Sequence, residues 1–559
     1  MDAQVAPYHW DDRRKLYKDF LALNTLYEEM LQELAGKLNE LHGCDRSLRY
    51  WRILIGPWLR IFLEVLFDRW AMLQQEADNS RISGVRVLDT APDSIIPSDM
   101  AHFLGLYIND SWNEAVYGAL LKEWTTVPVS KEPARPRTSS KETLLAPARW
   151  LKRKLEAAAA AVSQAFVRPD EYFFIFSYLP ILQDLRLQWQ LGQFPKIWRS
   201  ILGPKARVDS KRRTWRLRQE GLTGFAAISR AMIPRHLPTI YLEGYADLVA
   251  LCGSLPWPQK PRLIFTSNSF YSDDVFKAWT ADKTEKGTPL VVGQHGGNYG
   301  IGLWESLEDH QYAISDCWLS WGWSDENRPR IKPVCNFKAV GCKQAWDPLG
   351  HVLLVVMAIP RYSYRMFSIP VAGQWLGYLN DQYRFVDALS EQIRGKLIVR
   401  LVEQDYGLCQ KERWEDRYPG LVLDIGHSPI DSLVSKSRIY VSTHNATTFL
   451  ESMALNVPTI VFWDPDHYEL RDSAIPWMEQ LKSAGIFHTT PESAAQQLSK
   501  VWGDVPGWWQ SKPVQIVREK FCSQYSRMTE KPLEEIAQAL REVSKKQNKD
   551  QDAVTEPDI

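Results

Sequence analysis

Leu16, Phe20, Leu23, Leu26, Met30, Leu34 and Leu38 recur at spacings of three and four, which lays one apolar stripe along a helix. The pattern predicts helical structure across residues 11–90. The most apolar run, Trp51 to Leu66, is interrupted by Arg52, Pro57, Arg60 and Glu64. It reads as a buried helix, because a membrane span needs about 20 nearly uninterrupted apolar residues. Irregular structure and further helix are expected over Ser98–Glu123. Residues 127–145 carry Pro128, Pro133 and Pro136 among Ser, Thr and Lys, the signature of a linker or mobile loop. A helix is expected from Arg149 through Ala157–Ala161.

The rhythm then changes. Tyr172-Phe-Phe-Ile-Phe-Ser177 reads as a buried strand. From residue 261 short apolar runs alternate with helical stretches. Strands are predicted at Arg262–Thr266, Leu290–Gly293, Cys317–Ser320, Phe337–Val340, Val352–Met357, Leu397–Leu401, Leu421–Asp424, Ile439–Ser442 and Thr459–Phe462. Val352–Met357 is apolar at every position, as in strands covered on both faces. Such strands, alternating with helices, imply βαβ units and parallel sheets. The fold class is therefore α/β. The boundary between the halves is expected near residues 343–350. That gives an N-terminal α/β domain over 1–345, with a helical region and a basic insertion at about 127–220. A Rossmann-like domain follows over 346–505, then helices over 506–544 and a polar, disordered tail over 545–559.

A length of 559 residues agrees with two large units. Lys+Arg and Asp+Glu both number 67, a balance that argues against a dedicated nucleic-acid binder. The seven cysteines are scattered without a CxxC pair, as reduced thiols of a cytoplasmic protein would be. No apolar signal segment opens the chain. The 24 tryptophans and 22 tyrosines suit a sugar-lined cleft or simply a core. Residues 196–218 hold nine Lys or Arg against Asp209 alone, with Trp198 and Trp215 interleaved. This is either a solvated basic segment or a docking surface for an anionic membrane or a charged glycan.

Two segments carry candidate chemistry. Ser442-Thr-His-Asn-Ala-Thr-Thr448 joins a strand to a helix, with Asn445 as a candidate N-cap. Free amides and the dipole at a helix start suit a phosphate, and the carboxyl end of a parallel strand is where α/β ligands bind. Glu451, further along that helix, is placed to accept from a ribose or sugar hydroxyl. The other reading is a simple cap with a surface glutamate. Arg361 and Arg400 stand at strand ends and suit a phosphate or an ordinary surface ion pair. In the first half, Leu290–Gly293 runs into Gln294-His295-Gly296-Gly297 and a glycine-rich loop to Gly302. Glycines let a backbone approach a ligand, and His295 can act as a base or as a hydrogen-bond donor. The alternative is a glycine-rich turn with a structural histidine. No Gly-Lys-Ser/Thr follows, so this is not a Walker A loop. Asp273 or Asp274 is a candidate base or nucleophile, the other a helix cap. Glu308, Asp309 and His310 are candidates for the same cleft.

Pro7-Tyr-His-Trp-Asp-Asp-Arg13, Leu48-Arg-Tyr-Trp-Arg-Ile-Leu-Ile-Gly-Pro-Trp58, Thr266-Ser-Asn-Ser-Phe-Tyr-Ser-Asp-Asp-Val-Phe-Lys277, Gly293-Gln-His-Gly-Gly-Asn-Tyr-Gly300 and Ser442–Glu451 together resemble the leptospiral-type transferase family of bacterial surface-polysaccharide biosynthesis. The two-block layout is also similar to capsule Kdo transferases and CDP-glycerol glycerophosphotransferases. The resemblance implies a GT-B-like fold of two Rossmann-like domains facing a cleft. It implies a cytoplasmic glycosyltransferase, at most peripheral on the inner face of the membrane, serving lipopolysaccharide or another cell-envelope glycan. Its donor would be a nucleotide-activated sugar, CMP- or CDP-linked, and its acceptor a glycan or lipid-linked glycan. No cofactor and no metal are expected, with nucleic acid excluded as a partner. The segment Asp424–Arg438 resembles the loop and short helix before the donor strand in GT-B enzymes, which would turn Asp424 and His427 to the cleft. The implied donor contacts are Arg361, Arg400, Asp424, His427, Ser442, Thr443, His444, Asn445, Thr447, Thr448 and Glu451. The implied acceptor contacts are Asn268, Gln294, Gly296, Gly297 and Tyr299, with His295 and Asp273 or Asp274 catalytic. Family members carry a further segment, including a first strand, before the Pro7 motif. A chain starting here would expose a neighbouring strand edge. Alternatives are transfer of a polyol phosphate from a CDP donor and an inactive assembly protein.

Overall fold

The computed structural model describes residues 5–77, 82–125, 127–133, 167–343 and 345–555. The expected loop beyond Pro133 and the expected helix over 149–161 lie outside the described residues. Two long helices open the fold. α1 (Arg13–His42) begins at Asp12, whose carboxylate accepts from the Arg14 and Lys15 amides, and ends at Gly43 with φ of 61°. It buries Leu16, Phe20, Leu23, Met30, Leu34 and Leu38, as the stripe predicts, with Tyr27 buried where Leu26 was expected. α2 (Leu48–Ala77) is the buried helix anticipated from Trp51 to Leu66.

The charges that interrupt α2 have a specific use. Arg60, Glu64, Asp68 and Arg69 are all buried, so each needs a partner. Arg60 Nε pairs with Glu64 Oε1 at 2.6 Å. Glu64 Oε2 accepts from the Met366 amide at 2.9 Å, and Arg69 Nη1 donates to the Ser363 carbonyl at 2.8 Å. One helix in the first half therefore fixes the 363–366 loop of the second. The Pro7–Arg13 motif does the same. Arg13 holds Glu469 with two bonds of 2.7 and 2.8 Å and the Ile369 carbonyl at 2.9 Å. Tyr8 donates to Asp68 at 2.7 Å.

A small parallel pair, β1 (Val85–Asp89) and β2 (Val129–Pro133), stands apart. The N-terminal sheet is wholly parallel and runs β3 (Tyr172–Ile175), β4 (Leu263–Thr266), β5 (Leu290–Gly293), β6 (Cys317–Ser320), β7 (Ile331–Pro333) in simple order, so β3 is an edge strand. Phe337–Val340, expected as a strand, is a single 3₁₀ turn. Helix α3 (Ile181–Gln190) follows β3, and α4 (Asp274–Glu285) packs along α2. The C-terminal sheet comprises β8 (His351–Val355), β9 (Leu397–Arg400), β10 (Val422–Asp424), β11 (Ser437–Ser442), β12 (Thr459–Phe462) and β13 (Phe487–His488), in the order 10-9-8-11-12-13. The chain builds outward one way from β8 and the other way from β11. Their carboxyl ends thus flank a topological switch point, where open α/β sheets bind ligands. Helix α5 (Thr447–Ala454) starts there. The last helix, α6 (Pro532–Thr555), returns to pack on α3 and reaches Thr555, within the stretch where a disordered tail was expected. It buries Ile536, Ala537 and Leu540, and its Ala, Glu, Gln and Lys content suits a helix beyond them. Together these elements form the GT-B-like layout of two Rossmann-like sheets with a helical N-terminal region. Among the described residues no helix is long and apolar enough to cross a membrane.

Candidate functional site

The two motifs singled out in the sequence meet. The Gln294–Gly297 loop leaves β5 and rests on the turn that starts α5. The Gly297 amide donates to Thr447 Oγ1 at 3.1 Å, and Asn445 Nδ2 donates to Asn298 Oδ1 at 3.0 Å. A Cβ on Gly297 would lie 2.3 Å from the Ala446 carbonyl carbon, so only glycine allows this approach. Gln294 shapes the loop from within. It is fully buried, accepts from the Trp321 amide and Trp323 Nε1 at 2.9 Å each, and donates to the Gly296 carbonyl at 2.8 Å. Those bonds give it a positioning role rather than an acceptor contact.

His295 is oriented from both sides. The Tyr299 hydroxyl lies 3.2 Å from Nε2 and itself accepts from Gln311 Nε2 at 3.0 Å. The Tyr299 hydroxyl has one proton and two lone pairs, so it meets Nε2 in either tautomer, and the contact orients the ring without fixing which nitrogen carries the proton. Nδ1 is buried beside the Ser267 backbone without a good hydrogen bond. Burial, with Arg365 and Lys338 nearby, holds this imidazole down to about 3. It is neutral at physiological pH, the form a base requires. Tyr178 closes one side of it, with ring centroids 5.6 Å apart.

Beside α5 lies a cavity of about 590 Å³, lined by Lys338, Cys342, Ile430, Asp431, Ser435, Thr448 and Glu451 among others. The volume falls in the usual range for small-molecule sites. Glu451 faces it, its carboxyl raised by burial against the pull of Lys338, whose Nζ is 2.6 Å away. A cavity of about 400 Å³ elsewhere, between Leu88–Ile96 and Met232–His236, contains none of the motif residues.

The other expected residues divide. Thr448 and Glu451 open on the cavity, whereas Ser442 Oγ donates to the His444 carbonyl and Thr443 Oγ1 to the Val355 carbonyl at 2.9 Å. With Asn445 and Thr447 on the opposing loop, the turn is mainly a domain contact. Burial lowers His444 to about 4. Asp273 is the N-cap of α4, accepting from the Phe276 amide at 3.0 Å, and burial raises its carboxyl. Asp274 is buried and accepts from the Met100 amide, Tyr241 and Lys277 at 2.8, 2.5 and 2.7 Å, which makes it a structural hub. Asn268 stays half-buried at the end of β4. Arg361 pairs with Asp110 on the surface. Arg400 pairs with Asp424 across β9 and β10, and His427 is exposed beyond them. Glu308 and Asp309 join Arg328, and Glu308 also Arg471, across the domain junction. His310 is buried against Gly56.

Sequence reasoning missed Lys338, Tyr178, Glu305 and Arg365. Arg365, on the loop held by α2, has a buried Nε without a hydrogen bond and is stacked 4.4 Å from the Phe367 ring. Its charge reaches His295, Tyr271, Tyr299 and Glu305. Burial lifts Glu305 to about 7, against the pull of Arg365. A carboxyl raised on folding stabilises the fold while it is protonated. That contribution is full below its ordinary 4.5 and is lost as pH rises through about 7. Glu305→Gln is therefore expected to melt higher than wild type at pH 8 but not at pH 5. The ceiling is on the order of 3 kcal/mol. Thermal melts at the two pH values check this, and equal differences would contradict it.

The turn that starts α5 meets a histidine–glycine loop from a second parallel sheet, and a cavity runs along the flank of α5, so the fold is a two-domain α/β protein with a candidate site at its junction. A family model described as LIC12162 family transferase matches residues 1–540, and the chain belongs to that family. No curated protein matches the chain. Among solved structures, it is similar to MurG of Acinetobacter baumannii at 11% identity and a TM-score of 0.36, over 66% of this chain and 99% of that one. It is similar to a protein assigned as a UDP-N-acetylglucosamine 2-epimerase from Listeria monocytogenes at 10% identity and a TM-score of 0.38, over 66% and 94%. It is also similar to the spinosyn rhamnosyltransferase SpnG at 10% identity and a TM-score of 0.30, over 54% and 76%.

Proposed function

We propose that this transferase moves a sugar from a nucleotide-activated donor to a hydroxyl of a cell-envelope glycan. The observation that carries the reading is the junction itself. A ligand-sized cavity with Glu451 and Lys338 on its wall adjoins a loop that presents a neutral histidine. The nucleoside occupies the cavity, with Glu451 accepting from its ribose hydroxyls. Lys338 and Arg365 meet the phosphates, whose growing charge they stabilise as the sugar–phosphate bond breaks. His295 takes the acceptor proton as the new glycosidic bond forms. Burial is the main cause that lowers His295, and an anionic donor offsets the smaller effect of Arg365 and Lys338, so donor binding moves the imidazole toward a stronger base. CMP-linked sugars are the first donors to try, and the protein works in the cytoplasm.

Two readouts test this. A thermal-shift series over CMP, CDP, UDP and GDP should give a clear rise for at least one nucleotide. Glu451→Ala should weaken that nucleotide about 10- to 100-fold, the range for a lost hydrogen bond to a charged group. No shift with any nucleotide would sink the reading. Because Lys338 and Arg365 supply the positive charge, turnover should survive a chelator, and its loss in EDTA would require a metal.

A further inference from the structure

We infer that the cavity between Leu88–Ile96 and Met232–His236 is a binding site for a small neutral molecule, mostly apolar and carrying one hydroxyl or amine. It encloses about 400 Å³, within the usual range for small-molecule sites, and shares no residue with the cavity beside α5. Small side chains create it. Ala115, Gly118 and Ala119 of the helix Asp110–Trp124 lie three and four positions apart, so one helix face carries them. Leu88, Ile95, Ile96 and Met232 complete the apolar wall. A packed core would fill such a hollow, since protein interiors leave few voids larger than a water molecule.

One buried polar group points to the ligand. His236 lines the cavity and is 1% exposed. The rings of Phe62 and Trp112 pack on it, with centroids 5.3 and 6.0 Å away. Phe62 has no polar atom to offer, and Trp112 Nε1 already donates to the Ile95 carbonyl at 3.0 Å. His236 Nδ1 is buried without a hydrogen bond, a state that interiors seldom leave uncorrected. Burial, with Arg235 and Arg213 nearby, holds the imidazole down to about 3. The ring is therefore neutral, with one N–H to give and one lone pair to fill, and a hydroxyl or amine answers either. The walls are fixed by the chain's own bonds. The Trp112 bond ties the segment after β1 to the helix. Arg213 Nη1 donates to the Pro234 and Leu237 carbonyls at 3.0 and 2.9 Å, which holds the His236 end in place. A pocket held open in this way need not be ordered by what enters it.

Charge decides which occupant fits. Lys131 pairs with Asp89 at 2.6 Å, Arg213 with Glu243 at 2.6 Å, and Arg235 with Glu123. Lys122 and Asp93 are the other charged residues of the lining, one of each sign. No cation is left in excess for a phosphate or a carboxylate. An ion on the apolar wall would be buried without a partner, which is costly. The same balance argues against a nucleotide here, in contrast to the cavity where Lys338 stands beside Glu451. The inference therefore stands apart from the transfer reading.

Fluorescence titration of the full chain with 1-aminoanthracene, a neutral amine that brightens in apolar surroundings, tests it. The probe should bind saturably, and octan-1-ol should displace it at least about tenfold more effectively than octanoate. Ala119→Phe, which fills the hollow, should weaken the probe about tenfold or more. His236→Phe, which keeps a ring but removes its nitrogens, should weaken it about three- to tenfold, the range for one neutral hydrogen bond. It should also melt no lower than wild type, because it removes an unsatisfied polar group. This second variant keeps the test decisive if Ala119→Phe overpacks the site and fails to fold. No saturable binding, a His236→Phe protein that binds the probe like wild type, or octanoate displacing as well as octan-1-ol would overturn the proposal. So would displacement of the probe by CMP, CDP, UDP or GDP, since the cavity would then take nucleotides. None of these readouts involves transfer, so failure of this site and failure of the proposed reaction are separable.

Discussion

Gly297→Ala is expected to lower turnover at least a hundredfold and to reduce the melting temperature. The added Cβ would stand 2.3 and 2.4 Å from the carbonyl carbon and oxygen of Ala446. Both are backbone atoms, so relief requires moving the start of α5 or the His295 loop. Overpacking of this kind costs about 1–3 kcal/mol. The catalytic cost is larger, because the loop that moves carries His295 and a shift of about 1 Å at a reacting group can cost about 100-fold. Gly296→Ala is the control. Its Cβ would meet Thr447 Oγ1 at 3.1 Å and Tyr299 Cε2 at 3.8 Å, both side-chain atoms, so a shift of a few tenths of an ångström suffices and the backbone stays in place. Turnover and melting curves of the two variants check the account, and a Gly297→Ala protein as active as wild type would refute the close contact.

His295→Ala should lose about 10²- to 10⁴-fold in turnover, the range for removing a general base. Nucleotide affinity should change by no more than a few-fold, because the cavity is walled by Lys338, Ile430, Thr448 and Glu451 instead. Tyr299→Phe should show a smaller loss in turnover, since it removes the hydroxyl that orients Nε2 but leaves the imidazole in place. Affinity and turnover falling together in His295→Ala would mean that the histidine binds the donor rather than serving the acceptor.

Much of this layout was legible in the chain. Val352–Met357 and Leu290–Gly293 were readable as strands because parallel strands buried on both faces are continuous apolar runs. Ile331–Pro333 was not, because it is a three-residue edge strand in which only Ile331 is buried and Lys332 and Pro333 are half-buried, so no apolar run marks it. His295 and the Ser442–Thr448 turn were found because glycines and helix caps have local signatures. Their contact was not, since no local pattern records which loop a turn will face. The same limit explains the arginines. Arg361, Arg365 and Arg400 all sit near strand ends. Only the packing of α2 under the 363–366 loop leaves Arg365 without a carboxylate bonded to Nε, while Asp110 and Asp424 take the other two. Ser442 and Thr443 looked like ligand groups for the opposite reason. A hydroxyl that satisfies a buried carbonyl and one that holds a phosphate are the same letter in a sequence.

The central claim is that one nucleotide site is built from both halves of the chain. Hydrogen–deuterium exchange, with and without the nucleotide that gives the largest thermal shift, tests it most directly. The account predicts slowed exchange in two separate stretches, residues 430–455 and residues 338–343, which wall the cavity from the two halves. Protection confined to one half, or centred on residues 88–96 and 232–236 around the other cavity, would contradict it.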